Sequence, residues 1–431
     1  MNKSILTLLF AAAASSALAS GFSLFQGDST GIADAAGSIA KGGRVGDLYY
    51  NPATLANLPE GTTNAIQAGC FFTRPHLKID TSNPYTGEKY HTSAENQWFQ
   101  IPHVYYGHRF NDSIVAGFGL FSRIGLGDHF PDGWPGRYNS TQVEFYTFDF
   151  APTISWRVCD WLSVGAGLTL QYFNIALEQD IDAAGAAGLR PYNNPDFSPY
   201  DVHQRIHGDD SLAVGYDLGI QVRPISRLHL GLAYHSEVTA HAKGHVRYDV
   251  PAPIKAMYPM YFQYTGVRGT ITEPDYWMAA IVYDLTDRLA IGGAVTRSGW
   301  SSWDALRIRL DTAFLPGHDT LYSEKNWDDV WRWSAGAAYR INDEWTVRGS
   351  FTWDDSPIDP DHADYIVPAD TRQIYALGLS WERGPWALDG AYFFEHIDDM
   401  DVPARPAEGI SEGKYTDGFS HAFSFTVGYS F

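Results

Sequence analysis

The chain ends in the stretch HAFSFTVGYSF, residues 421–431. Phe423, Phe425, Val427, Tyr429 and Phe431 take one parity, and Ser424, Thr426, Gly428 and Ser430 take the other. Side chains on a strand alternate between faces, so this segment has one apolar, aromatic face and one small, polar face. In a soluble sandwich the apolar face would point into a core. In a transmembrane barrel it would point at lipid, with the polar face lining a lumen. If lipid surrounds it, every other strand must serve a closed sheet, because an open edge leaves backbone groups unsatisfied in hydrocarbon.

Working outward, the same alternation recurs along the chain. Leu212, Val214, Tyr216, Leu218, Ile220 and Val222 oppose Ala213, Gly215, Asp217, Gly219 and Gln221, and Trp345, Val347, Gly349, Phe351 and Trp353 oppose Thr346, Arg348, Ser350, Thr352 and Asp354. Six short polar turns separate such strands: residues 110–112, 158–160, 224–226, 285–287, 341–343 and 383–385, where Asn, Asp, Gly and Pro supply the turn chemistry. Twelve flanking strands, a first strand near residues 62–73 and the closing strand make about fourteen. Long connections, expected as loops over 74–96, 124–141, 178–210, 240–268, 299–325, 355–370 and 397–418, alternate with the short turns. Short turns on one rim and long loops on the other is the layout of an outer-membrane barrel. Trp156, Trp161, Tyr283, Trp345, Trp381 and Trp386, near strand ends, fit interfacial girdles.

Composition agrees. Mean hydropathy is −0.24 although 15% of residues are aromatic, as when apolar side chains occupy every second position. No apolar run reaches the ~18 residues a membrane helix needs. Net charge is −20, which argues against nucleic acid as a partner. The two cysteines, Cys70 and Cys159, lack metal-site spacing, and no catalytic motif is present, so neither an enzyme nor a cofactor or metal is expected. Lys3, the apolar run from Ile5 to Ala14 and Ala17-Leu18-Ala19 read as a signal peptide over residues 1–19. Residues 20–61 are rich in Gly and Ala with little alternation and form a separate, compact segment. The barrel occupies 62–431.

Several motifs carry a resemblance. These are Gly21-Phe22 followed by Ser29-Thr30-Gly31; Asn51-Pro52-Ala53; Trp134-Pro135-Gly136-Arg137-Tyr138; Trp300-Ser301-Ser302-Trp303; and the run from Asn326-Trp327 to Asp370-Thr371-Arg372. In this order and spacing the sequence resembles the FadL family of outer-membrane transporters for long-chain fatty acids and other hydrophobic compounds. The resemblance implies a fourteen-stranded barrel whose lumen is plugged by an N-terminal hatch, residues 20–61. It implies capture of ligand among outer loops, transfer to a pocket beside the hatch N-terminus, and lateral exit at a kinked third strand, here residues 113–122. A monomer is the expected working unit, in contact with outer-membrane lipid and surface saccharide.

The function expected is passive uptake of hydrophobic molecules, long-chain fatty acids first. Uptake of aromatic or alkane hydrocarbons is the alternative, and a porin or adhesin the rival from another class. An Arg suits a fatty-acid carboxylate, and parity aims Arg348 into the lumen. Phe22, Leu24 and Phe25 are expected at the inner pocket, and Trp134, Met257, Met260 and Phe262 at the outer capture site. Asn51, Pro52 and Ala53 are expected to fix the turn where hatch meets wall. Gly117 and Gly119 are the lateral-gate candidates, since glycine permits a bend within a strand.

Overall fold

The computed structural model describes residues 21–431 apart from Asn96 and Pro316. The expected signal peptide lies outside the described residues. Fourteen antiparallel strands form the wall. They are β1 (Asn64–Ser82), β2 (Phe99–Arg109), β3 (Ile114–Phe121), β4 (Gln142–Cys159), β5 (Leu162–Ile181), β6 (Val202–Ile225) and β7 (Leu228–His235), followed by β8 (Tyr276–Asp284), β9 (Leu289–Ser298), β10 (Val330–Arg340), β11 (Trp345–Asp354), β12 (Arg372–Arg383), β13 (Trp386–Ile397) and β14 (Gly413–Ser430).

Each strand pairs with its neighbours in sequence, and β14 closes on β1 from Ala65↔Ser430 to Thr81↔Gly413. The closing seam is the alternating stretch of the C-terminus. Phe423 and Phe425 are exposed on the outer surface, while Ser424 and Thr426 are buried inward. Leu212, Val214, Tyr216, Leu218 and Ile220 of β6 likewise face out, with Ala213, Asp217 and Gln221 inward. The outer surface is thus an apolar belt, and within it the strands alternate; β6 and β14 change parity further out, at bulges opposite Gln171–Phe173 and His76–Lys78.

The short turns are tied by side chains. Asn111 Oδ1 accepts from the backbone N–H of Ser113 and Ile114, and Asn342 Oδ1 accepts from Glu344 and Trp345. Two turns sit slightly later than the sequence suggests, because β4 runs through Cys159 and β6 through Ile225. Both cysteines are free.

On the other rim the connections are not all loops. Val238–Asp249 and Thr265–Glu273 form an extended hairpin that also pairs with the outer end of β6. Ala305–Leu310 and Thr320–Glu324 form a second, joined to the first at Val267↔Leu310. These hairpins carry the sheet beyond the membrane belt and enclose an apolar interior that includes Val246, Val267, Ile308 and Phe314.

Residues 21–58 fill the lumen. Two short helices, Ser29–Ala33 and Ala35–Ala40, and two 3-10 turns, Val45–Tyr49 and Pro52–Asn57, meet inward side chains from around the wall. Ser29 bonds Ser424 and Thr426 of β14, Arg44 pairs with Asp389 of β13, and Lys41 pairs with Asp284 of β8. Tyr105 of β2 donates to Gly27 O, and Ser155 of β4 to Ala53 O.

Candidate functional site: an aromatic cage at a break in the wall

Asn51 anchors the lumen segment. Its Oδ1 accepts from Ala53 N at 3.0 Å, opening the 3-10 turn at Pro52, while its Nδ2 donates to Ile39 O at 2.8 Å and to Ile220 O of β6 at 3.2 Å. The wall admits this motif because two inward positions are glycine. A Cβ at Gly165 would lie 2.3 Å from the Pro52 carbonyl carbon, and one at Gly219 would lie 2.1 Å from Asn51 Oδ1.

At the other end of the segment, Phe22 occupies a cage of rings. Its centroid lies 4.8 Å from Trp300, 4.9 Å from Trp303, 5.8 Å from Trp327 and 5.4 Å from Phe145. Edge-to-face packing at these distances is favourable beyond simple burial. Gly21 precedes it at φ +63°, against the Trp300 and Trp327 rings. Above the cage, toward the long-connection rim, a cavity of ≈ 280 Å³ is lined in part by Leu177, Ile181, Ile206, Leu306, Ile308 and Phe314.

Phe22 is tied to a discontinuity in the barrel. β3 pairs with β2 only from Arg109↔Val115 to Val104↔Leu120. β2 continues outward against β1 as far as Thr73↔Phe99, so its outer end has lost its other neighbour. The third strand stops at Phe121 and resumes at Gly125–His129, paired with β4. Between them Ser122 Oγ donates to Thr147 O at 2.6 Å. The lumen segment pairs with this break: Leu24 N donates to Arg123 O at 2.7 Å, and Gly125 N donates to Phe22 O at 3.0 Å. Ser23 Oγ bonds the Tyr276 hydroxyl at 2.7 Å.

A buried polar knot lies at the same level. Arg123 pairs with Asp217 at 2.9 Å and reaches Thr169 at 3.2 Å. His235 Nδ1 bonds Asp217 at 2.6 Å. Gln171 Nε2 donates to Asp149 at 2.9 Å and to Glu273 at 3.0 Å. Asp149, Gln171, Asp217 and His235 stand at inward parity on wall strands, which is the sequence signal that could have found them; Arg123, in the break, and Glu273, at the end of the outer hairpin, carry no such mark.

The sequence-derived candidates divide by depth. Phe22, Leu24 and Phe25 are buried at or beside the break, and Phe25 packs on Tyr276 at 5.6 Å. Arg348 faces the lumen but stands elsewhere. It donates to Ser380 Oγ at 2.5 Å and lines a polar cavity of ≈ 700 Å³ with Lys41, Arg44, Arg340 and the turn residues Thr286 and Asp287. That cavity opens on the short-turn rim, so the lumen segment separates Arg348 from the cage. Trp134 is buried within its loop, stacked on Phe130 at 4.2 Å with Nε1 donating to Ser140 O. Met257 and Met260 are exposed on the connection between the outer hairpin strands, and Phe262 is buried beneath them against Tyr248. Gly117 and Gly119 lie inside the regular ladder, opposite Gly107 and Tyr105, so the break is three residues beyond Gly119. Glycine serves close approach there: a Cβ on Gly117 would sit 2.1 Å from Tyr106 O.

Comparison with known proteins decides the class. The family described as outer membrane protein transport protein (OMPP1/FadL/TodX) matches residues 10–431. The chain belongs to this family. The long-chain fatty acid transport protein of Salmonella typhi is 24% identical over 98% of both chains. The 47 kDa outer membrane protein of Pasteurella multocida is 25% identical over 89% of both. Among solved structures, a Pseudomonas aeruginosa FadL homologue superposes with a TM-score of 0.82 at 20% identity, covering 96% of this chain and 100% of that one. The P. putida toluene transporter TodX gives 0.66 at 14% identity, covering 90% and 94%. This FadL/TodX-family protein is an outer-membrane transporter of hydrophobic compounds, and its family members are transporters or channels. The short-turn rim accordingly faces the periplasm and the long connections face outward.

Proposed function

We propose that this FadL/TodX-family barrel carries out passive, energy-independent uptake of hydrophobic molecules, long-chain fatty acids first, with residues 20–61 as a hatch and lateral release at Ser122–Ile124. One observation carries the reading. The ring that fills the aromatic cage belongs to the same three residues that hydrogen-bond to the broken third strand. A ligand that displaces Phe22 from the cage therefore also frees Leu24 from Arg123, and the gap beside β2 loses its inner cover. An outer cavity whose mixed lining includes Leu177, Ile206, Ile308 and Phe314 beside Asp180 and His318, and an exposed Met257–Met260 tip, support a path from the outer face to the cage.

The curated relatives named for long-chain fatty acids favour that substrate class. The density of aromatic rings around Phe22 favours a second reading, uptake of monoaromatic hydrocarbons. A single barrel, in contact with outer-membrane lipid and surface saccharide, is the working unit in this reading; the wall closes within one chain at β14 and β1, and its apolar belt suits lipid.

The test is accumulation of labelled oleate and labelled toluene in cells lacking other routes, with and without a protonophore. Oleate accumulation above the empty host, unchanged by the protonophore, is expected. Toluene accumulation alone would move the substrate to hydrocarbons. Accumulation of neither would overturn the transport reading.

A further inference from the structure

The outer hairpins turn an unbalanced charge away from their apolar interior. Lys243 stands directly opposite Arg268, and Arg268 directly opposite Arg309, so three exposed cations lie abreast on three adjacent strands. Four residues further out, Arg247 stands opposite Arg205. Like charges directly opposite each other destabilise a sheet. Arg268 pairs with Asp311, and Arg205 with Asp249. Lys243, Arg247 and Arg309 have no ion-pair partner among the described residues, and Asp209, opposite Lys243, does not reach it. The chain holds 50 Asp and Glu against 30 Lys and Arg, so a shortage of acid does not explain the open positive charge.

The row lies just outside the hydrocarbon. On β6 the last exposed apolar residue is Leu212, and Asp209, level with Lys243, stands three residues further out. Three residues of a strand tilted by about 40° rise roughly 8 Å, and the polar layer flanking a bilayer's hydrocarbon is about that thick. Beside the row, Thr265–Glu273 and Ala305–Leu310 part beyond the pair Gly269↔Ile308, leaving a groove of ≈ 730 Å³. Lys243, Arg268, Arg307 and Thr270 line it, and Asp304 in its wall is held by Arg307 at 3.0 Å. Ser302 and Trp303 line it too, and their Oγ and Nε1 are buried without a partner, Trp303 being 2% exposed. A buried polar group left unpaired loses its hydration with nothing in return.

We propose that this face binds a phosphorylated glycolipid of the membrane's outer leaflet. Its phosphates sit on the Lys243–Arg268–Arg309 row, its sugar hydroxyls reach the groove, and its acyl chains lie down the apolar belt. Guanidinium takes phosphate oxygens in a planar fork, and ammonium takes them as a point charge. A free phosphate would use the row alone. A phospholipid without sugar would leave the groove unfilled, and an acidic protein would match the charge but not the belt below. The bound lipid braces from outside the strands whose inner face carries Val246, Val267 and Ile308. The inference stands apart from the identity of the transported molecule.

The test is native mass spectrometry of the purified full-length barrel in mild detergent, titrated with diphosphoryl lipid A, its dephosphorylated form, phosphatidic acid and inorganic phosphate. Wild type is expected to bind diphosphoryl lipid A about tenfold or more tighter than each of the other three, because only it offers charge, sugar and chains together. Lys243→Gln/Arg309→Gln breaks no ion pair, so heat-modifiable migration should be preserved while affinity for diphosphoryl lipid A falls about tenfold. Arg223→Gln/Arg288→Gln removes the same charge from the short-turn rim and should bind as wild type does. Unchanged affinity in the first variant, or an equal fall in both, would overturn the site. Equal binding of the phosphorylated and dephosphorylated lipids would remove the phosphates from the row. Phosphatidic acid bound as tightly as diphosphoryl lipid A would overturn the glycolipid as occupant, and inorganic phosphate bound as tightly would reduce the row to a simple anion site.

Discussion

Gly165 is where one hydrogen atom in place of a methyl group decides whether the lumen segment can seat. Its missing Cβ would meet the Pro52 backbone at 2.3 Å, and a backbone cannot step aside as a flexible side chain can. Gly165→Ala is therefore expected to lift Pro52–Ala53 from β5 while leaving the ladder intact. Single-barrel conductance in planar bilayers should rise from near zero to a steady current, and a silent barrel would contradict the fit. Asn51→Ala removes two donated bonds and one accepted bond, and should cost the seat about 1–3 kcal/mol, read as faster hydrogen exchange over residues 45–57. Asp47 sets the pH dependence. Burial, and then the charge of Asp28, push its carboxyl from 3.8 up to about 7. The seated segment thus holds a proton that the released segment lacks between those values. Seating is strongest below about pH 4, weakens as pH rises, and has lost this contribution above about pH 7. Exchange protection of residues 45–49, corrected for intrinsic rate, should fall between pH 4.5 and 7.5; protection that climbs with pH would reverse the assignment. At this scale the face of a side chain was legible and its depth was not. Parity placed Arg348 inward, and inward it is, but nothing in its own strand says that it lies below the lumen segment while the cage lies above.

The third strand shows what an element reveals about itself. Gly117 and Gly119 suggested a bend, since glycine is the residue that permits one. Both remain in register, and the ladder fails only after Leu120. What ends the pairing is a competitor from elsewhere in the chain. Phe22–Leu24 takes the hydrogen bonds of Arg123 and Gly125, and Ser122 turns its hydroxyl to Thr147. A contact across a hundred residues leaves no local mark. Deleting Ser122–Ile124 would let β3 run on into Gly125–His129 and pair with the outer end of β2. Oleate uptake is expected to fall to the empty-host level with heat-modifiable migration of the barrel preserved; undiminished uptake would place the exit elsewhere. The outer hairpins make the converse point. Most of Val238–Asp249 and the start of Thr265–Glu273 fall within 240–268, expected as loop because it lacks the lipid-facing alternation of the wall. Beyond the membrane the outer face meets water, so a strand there carries His241, Lys243 and Arg268 without penalty, and the pattern that marks a membrane strand disappears.

For the molecule as a whole, the architecture was legible because lipid imposes one rule on every strand. Exposed apolar residues such as Leu218, Ile281, Trp333, Leu377 and Phe425 form one belt on fourteen staves, and the closing segment from His421 supplies the seam. The site was legible only in part, because it arises where the N-terminal segment, the third strand and the connection after β9 converge. The central claim is that the chain's own Phe22–Leu24 must leave the break for a ligand to pass. Ser23 and Ile124 face each other as an isolated antiparallel bridge, with Cβ atoms spaced as directly opposite residues are. The most direct measurement is therefore oleate uptake by a Ser23→Cys/Ile124→Cys variant in a Cys70→Ser/Cys159→Ser background, with the new disulfide quantified by mass spectrometry. The account predicts uptake at the empty-host level when the tether is oxidised and recovery on reduction. Full uptake through a completely oxidised barrel would contradict it.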